Sequence, residues 1–299
     1  MIFDEIKLKK ILKSKGLTKT HLSNNLGISS RTIAKIAKGQ HINEGVAQKI
    51  INFLGVTAQD LIFTNPLLQT LKTQKQLGIS DGIYHETQIK LTYNSNHIEG
   101  SQLTEEQTRF IFQTKTIGQV PEGTPIDDVI ETSNHFRCVD YIIDNAELPL
   151  DEDFIITLQR ILKEGTLYSQ TFGAGVYKQL PNTVGGLETI SPTEVQKEVQ
   201  KLLFWYNNLK NIDFSAIVEF HYRFEVVHPF QDGNGRVGRL IAFKECLKHN
   251  IVPFYIDDAN KWFYYRGLRE WKSEPNFLIE TCLFGQDQYK LLMQKYGVN

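Results

Sequence analysis

The sequence predicts an all-α protein carrying one small β-hairpin, and three observations lead there. Apolar residues recur three and four apart through most of the chain, as in Ile217, Phe220, Phe224 and Val227. Residues that cap or stop helices bracket those runs, among them Thr18, Gly27 and Thr104. β-prone material is confined to two short pieces within residues 173–186.

Composition narrows the class. Of 299 residues, 41% are hydrophobic and 22% charged, ordinary for a soluble protein with room for one large or two ordinary domains. The three cysteines, Cys138, Cys246 and Cys282, are far apart and form no C-x-x-C, so reduced thiols in the cytoplasm are expected and structural zinc is not. Met1-Ile2-Phe3-Asp4-Glu5 lacks a signal-peptide apolar region, and no run approaches the roughly 20 apolar residues of a membrane span. No membrane partner is expected; a homo-oligomer is left open. Charge is uneven: residues 1–65 hold ten Lys+Arg against four Asp+Glu, or +6, and the remainder is −7, giving the net −1. A basic head on an acidic body suggests separate functions, with a domain of residues 1–65 and another of 66–299.

In the head, Leu8, Ile11 and Leu12 mark a first amphipathic helix ending at Gly16. Thr18 can cap a second, with Leu22 and Leu26 inward and Gly27 as its stop. Ser29 can cap a third, with Ile33, Ile36 and Ala37 inward and Arg31, Lys35 and Lys38 outward, ending at Gly39. Val46 to Leu54 is a further helix. Two helices joined by Gly27-Ile28-Ser29 make the helix-turn-helix pattern. It resembles the repressor-type Xre/Cro family over roughly the first 57 residues. The resemblance implies that Ser30, Arg31 and Lys35 face a DNA major groove and that Lys38 contacts phosphate. The alternative is a small bundle that merely carries lysines or binds another protein. A helix rich in Ser, Thr and Lys has few bidentate base readers, so weak, phosphate-driven binding is expected.

A linker is expected from Thr57 through Pro66. Beyond it, Leu67, Leu68, Leu71, Leu77, Ile79 and Tyr84 have the spacing of helix packing. Ser95-Asn96-His97-Ile98-Glu99-Gly100 is a helix end, with Gly100 as the left-handed terminus. Glu99 there meets the negative end of the dipole, a penalty that an arginine from elsewhere would remove. Thr104 and Gln107 form a capping box for a helix within 102–112. Residues 120–125 read as a loop, and 127–143 and 153–162 as helices. His135, in the first of these, reads as a core or surface histidine.

Gly173-Ala174-Gly175-Val176-Tyr177-Lys178 and Leu180 to Val184, with Gly185-Gly186, suggest a hairpin, though an ordinary surface loop fits as well. Pro192 opens a long helix over 193–209 with Val195, Val199, Leu202, Leu203 and Trp205 inward.

His228 to Arg239 concentrates the chemistry. His228 titrates near neutrality and can take a proton from a hydroxyl. Asp232 is a carboxylate suited to a hard divalent cation. Gly233-Asn234-Gly235 opens a helix whose amides can close on an anion. Arg236 and Arg239 share one face and can clamp phosphate oxygens. Gly233, Gly235 and Gly238 also satisfy G-x-G-x-x-G, with Asp257 and Asp258 downstream, as in a dinucleotide fold. That fold needs a strand before the first glycine; here helical spacing and His228-Pro229 precede it, so helix–loop–helix is preferred.

These twelve residues match H-x-F-x-[D/E]-G-N-G-R-x-x-R, and the chain from 66 to 299 thereby resembles the Fic (filamentation-induced-by-cAMP) domain family. The resemblance implies a Fic-type helical core with a small β-hairpin flap, preceded by the helix-turn-helix domain. It implies a protein adenylyltransferase moving AMP from ATP to a Ser, Thr or Tyr hydroxyl of a target protein. His228 would be the general base, and Asp232 the ligand of Mg²⁺ or Mn²⁺. Gly233, Asn234 and Gly235 would hold the inner phosphates, Arg236 and Arg239 the outer ones, with Gly238 among the nucleotide-binding residues. Residues 95–100 resemble the family's [S/T]-x-x-x-E-[G/N] inhibitory motif, so Ser95, Glu99 and Gly100 would restrain the site, Glu99 by pairing with Arg239. In some relatives the same glutamate is thought to position water for removing AMP, which would give Glu99 two roles. The stretch near 180–186 sits where a flap would pair with a target segment. Lys178 stands where relatives often carry arginine and is assigned nothing. Tyr265, in an aromatic run that otherwise reads as core, would help enclose the base. The competing reading is a DNA-binding transcriptional regulator whose Fic core only senses nucleotide.

Overall fold

The computed structural model describes residues 1, 3–37, 40, 42–61, 65–120, 122–184 and 187–298. They form two compact units, Met1–Asn65 and Pro66–Asn299.

The first unit holds α1 (Glu5–Ser14), α2 (Lys19–Leu26), α3 (Ser30–Ala37), α4 (Glu44–Leu54) and α5 (Ala58–Leu61). Thr18 caps α2 by accepting the His21 amide, while its own amide donates to the His21 ring at 2.9 Å. Gly27 ends α2 at φ +62, where a side chain would be strained. Ser29 Oγ accepts the Thr32 amide at 3.2 Å and so starts α3. Leu8, Leu22, Ile36, Ile50 and Leu61 meet in a closed core. Each stabilises the unit by roughly 1.5–3 kcal/mol. The expected linker is corrected here. Thr57 binds the Asp60 carboxylate through both amide and hydroxyl, which nucleates α5, and Leu61 is fully buried. Pro66 starts the next helix, where its missing N–H costs nothing. Lys38 and Gly39, and residues 62–64 of that linker, lie outside the described residues.

Among its described residues, the second unit is mainly helical, with two two-residue strands. Its helices are α6 (Pro66–Leu77), α7 (Ile83–Ile98), α8 (Glu105–Thr114), α9 (Ile126–Asp144), α10 (Glu152–Lys163), α11 (Leu167–Phe172), α12 (Val195–Asn207), α13 (Phe214–Val227), α14 (Asn234–Lys248), α15 (Lys261–Glu270) and α16 (Asn276–Lys295). The Thr104–Gln107 capping box is present at α8. α14 is the axis: every residue from Asn234 to Leu247 is buried, and α7, α9, α10 and α13 pack around it. Leu240, Phe243 and Leu247 join Phe220, Phe224, Leu158 and Tyr206 in the main core. A helix buried all round must pair each polar side chain it carries, and Arg236, Arg239, Lys244 and Glu245 are all paired with opposite charges.

Several expectations shift. Strands β1 (Thr183–Val184) and β2 (Leu187–Glu188) pair antiparallel across 185–186, and 173–178 is no strand. Gly173 and Gly175 bend that stretch at positive φ, and the Lys178 amide donates to Pro229 O at 2.9 Å, tying it to the His228–Arg239 loop instead. Gly185 and Gly186 lie outside the described residues, as does Pro121. Pro192 opens a 3-10 turn rather than the α-helix itself. Tyr206, not Trp205, enters the core; Trp205 is half-buried beneath the Arg223 guanidinium at 4.1 Å. Leu77 and Ile79 lie exposed. His135 is fully buried against Thr92, and burial pushes it down to about 3, a neutral core histidine. All three cysteines are buried and free. Among the described residues no helix is long and apolar enough to cross a membrane.

Candidate active site

α13 ends at His228, whose backbone is left-handed (φ +48) while its amide still donates to Phe224 O at 2.9 Å. A non-glycine residue held there stores strain, which folded proteins keep where a side chain must be aimed. Phe230 anchors the loop, fully buried. Asn234 then staples it: Oδ1 accepts the Phe230 amide and Nδ2 donates to the Phe230 carbonyl, each at 2.8 Å. The Asn234 side chain is thus committed to the loop, and what it can offer an anion is its backbone. Gly233 turns the chain into α14 at φ +85.

The imidazole of His228 is largely buried but retains an exposed edge, with side-chain exposure of 16%. Its Nδ1 lies 3.7 Å from Glu225 Oε2, beyond hydrogen-bond reach. Burial, with the nearby Lys178 charge, lowers its pKa to about 4, so at neutral pH the ring is an uncharged base. Glu225 is pushed up to about 8 by burial, against the pull of Arg239. Gly238 lies on this inner side of α14. A Cβ there would sit 2.8 Å from His221 Nδ1 and 2.9 Å from Glu225 Oε1, so its placement serves the α13–α14 contact rather than an approaching ligand.

The two arginines part company despite sharing a face. Arg239 Nη2 donates to Glu99 Oε1 at 2.7 Å and to Ser95 O at 2.9 Å. Its Nε donates to Ser95 Oγ at 3.0 Å, and Nη1 reaches Tyr264 Oη at 3.4 Å. Arg236 pairs with Glu131 of α9 and with Asp232. Burial would raise the Glu99 carboxyl, but Arg239 and Arg236 hold it below the usual range. Glu99 also lies against the start of α14. A Cβ on Gly235 would fall 2.2 Å from Glu99 Oε1, so only glycine admits the carboxylate there, at the positive end of the helix. Gly100 turns away at φ +99.

Asp232 is half-exposed. Its Oδ1 accepts the Gly233 amide at 2.7 Å and its Oδ2 accepts from Lys163 and Arg236. Those cations hold its pKa down against the rise that burial would cause. Among the described residues no group of three or more His, Cys, Asp or Glu could hold a metal. A carboxylate-held ion here would complete its shell with water and substrate phosphates, as Mg²⁺ commonly does, so the donor set fits such an ion.

Tyr265 is exposed, and its hydroxyl donates to Ile98 O at 2.8 Å, bracing the end of α7. Its neighbour Tyr264 is the buried one, bonded to His221 at 2.7 Å. Sequence reasoning missed Glu131, Lys163 and Glu225. Glu131 lies 105 residues from the Arg236 it binds, and Lys163 lies 69 residues from Asp232. No local pattern marks either; only the buried neighbourhood of α14 does. In the first unit, Ser30, Arg31 and Lys35 are all exposed on α3.

Residues 149–245 match the family model described as Fic/DOC family, and residues 8–61 one described as helix-turn-helix. Residues 149–245 are thus similar to a Fic domain. Proteins named protein adenylyltransferase Fic are similar to it: that of Drosophila grimshawi is 28% identical over 195 residues, covering 62% of this chain and 38% of its own. Those of Aedes aegypti (28%, covering 62% and 37%) and Nematostella vectensis (26%, covering 62% and 43%) are comparable. The match thus spans well under half the length of these relatives. The fold is shared with a Fic domain containing signaling protein from Bacteroides thetaiotaomicron (TM-score 0.60, 24% identical, covering 78% of this chain and 94% of that one). It is shared too with Fic-1 from C. elegans (TM-score 0.60, 18% identical, covering 89% and 77%).

Proposed function

We propose that the Fic domain is a protein adenylyltransferase that moves AMP from ATP to a Ser, Thr or Tyr hydroxyl of a target protein, restrained by Glu99. The observation that carries this reading is a neutral, partly exposed His228 beside the glycine-lined start of α14, with two buried arginines on that helix. The target hydroxyl gives its proton to the His228 nitrogen turned away from Glu225 as its oxygen bonds to the α-phosphorus. The α–β phosphoanhydride bond breaks and pyrophosphate leaves. The amides opening α14 stabilise the developing charge, and Arg236 and Arg239 hold the outer phosphates. Asp232 would hold Mg²⁺ or Mn²⁺, which when bound neutralises phosphate charge.

Restraint follows from the same contacts. While Glu99 holds Arg239 and lies on Gly235, that arginine is not available to a γ-phosphate. A target segment would pair near 180–186, where β1 and β2 lie beside the loop. The free, buried thiols suit a cytoplasmic setting.

Incubation with α-³²P-ATP, Mg²⁺ and a cell lysate tests the reading. His228→Ala should cut labelling by about 10²–10⁴-fold, the worth of a general base, with ATP binding little changed. Labelling that persists in His228→Ala rejects it. A second reading, a DNA-binding regulator whose Fic core only senses nucleotide, is supported by the exposed Ser30, Arg31 and Lys35 on a +6 unit. It predicts no labelling by wild type and nucleotide-dependent DNA affinity.

A further inference from the structure

Two residues outside the twelve-residue signature close a polar cluster beneath Asp232. Lys163, the last residue of α10, is 1% exposed, and its Nζ donates to both Asp232 Oδ2 and Glu131 Oε1. Glu131 turns its other oxygen to Arg236 Nη1. The Tyr168 ring lies 4.8 Å from the same ammonium. Charges therefore alternate through Asp232, Lys163, Glu131 and Arg236, and they cancel. A buried ammonium persists only where carboxylates compensate it, so this set is tightly held. Asp232 has Oδ1 on the Gly233 amide, and Lys163 shares Oδ2 with Arg236 Nη2, which lies 3.4 Å away.

We propose that Lys163 is a resident counter-cation and positioning residue that sets how tightly the site admits a divalent metal ion. The ion takes Asp232 Oδ2 only as the Lys163 ammonium gives it up and rests on Glu131. Glu131 is the second half of the device: it offers Lys163 somewhere to go and keeps Arg236 in place meanwhile. Repulsion between ammonium and metal is felt strongly because the lysine is shielded from water, where like charges interact far more than in solvent. The inference rests on reading Asp232 as the metal ligand.

Mn²⁺ binding to the full chain, saturated with an ATP analogue carrying a methylene between the α and β phosphorus atoms and read by electron paramagnetic resonance, tests it without any turnover. Lys163→Met removes the competing charge and should lower the apparent Kd for Mn²⁺ about tenfold. Glu131→Gln leaves Asp232 as the lysine's one carboxylate in the cluster and should raise that Kd by a similar factor, about tenfold. Opposite signs are the signature, since a merely structural cluster would shift both variants the same way. Unchanged or weaker Mn²⁺ binding in Lys163→Met overturns the proposal. Should that variant fail to fold, unchanged or tighter binding in Glu131→Gln overturns it alone. Asp232→Asn separates the two layers. If it abolishes Mn²⁺ binding, the ligand reading stands, and the lysine variants decide; if binding is unaffected, the ligand reading falls and the proposal with it.

Discussion

His228 is costly to the fold in two ways: its backbone is left-handed and its ring is stripped of water. Both costs leave an uncharged imidazole with a fixed aim, which is what a base for a hydroxyl needs. Glu99 is the opposing residue. Its bond to Arg239 is charge-assisted and worth roughly 1.5–3 kcal/mol, so Glu99→Gly should raise α-³²P-ATP labelling, self-labelling included, by about ten- to a hundredfold. Equal labelling of wild type and Glu99→Gly would remove Glu99 from any inhibitory role. His228, Asp232, Arg236 and Arg239 were legible as chemistry because they sit within twelve residues. Glu131, Lys163 and Glu225 were not, since a carboxylate or lysine on an amphipathic helix looks solvated until its neighbours are known.

At the scale of elements, the α13–loop–α14 unit depends on one amide. Asn234 satisfies both the donor and the acceptor of the buried Phe230 backbone. Asn234→Ala leaves those two groups unpaired and should lower unfolding free energy by about 2–4 kcal/mol, measured by urea denaturation. A loss under 0.5 kcal/mol would mean that the staple is dispensable. Helix positions were readable from spacing and caps, as at Thr18, Thr104 and Gly27. The hairpin was harder: glycine-rich stretches signal bends without saying what they pair with, and Lys178 chose Pro229 over a strand. Trp205 and Tyr206 show a second limit. Adjacent aromatics at a helix end both fit an apolar face, and only the packing against Phe220 decides which enters.

For the molecule as a whole, buried titratable groups set the pH response. Burial lowers His135 and His221 to about 3 and His228 to about 4. The unfolded chain, near 6.5, takes up protons first, so stability falls as pH drops from about 6.5 towards 4. Glu225 acts oppositely. Raised to about 8, it keeps its proton when folded, and the stability this contributes is lost as pH rises from about 4.5 through 8. Between pH 4 and 8, Tm should therefore be highest near pH 6.5, and Glu225→Gln should flatten the fall from there to pH 8; a variant that falls as steeply as wild type would refute that assignment. The charge split has its own consequence. If the +6 unit binds DNA through α3 with Lys35 in the major groove, Lys35→Ala should weaken binding selectively, most at the sequences the unit prefers. A loss uniform across sequences, with the salt slope reduced by about 1, would instead mark Lys35 as a phosphate contact.

What the sequence determined by itself was local: helix runs, their caps, the helix-turn-helix spacing, and a loop whose twelve residues bring base, carboxylate, glycines and arginines within reach of each other. Those features are set by neighbours along the chain, so periodicity and spacing suffice to read them. The pairing of Glu99 with Arg239 was already implied by the motif at 95–100, but the tertiary structure alone decided the other distant charges that complete the site. Arg236 took Glu131 and Asp232 took Lys163, because a helix buried on every side must find its counter-charges on whichever helices surround it.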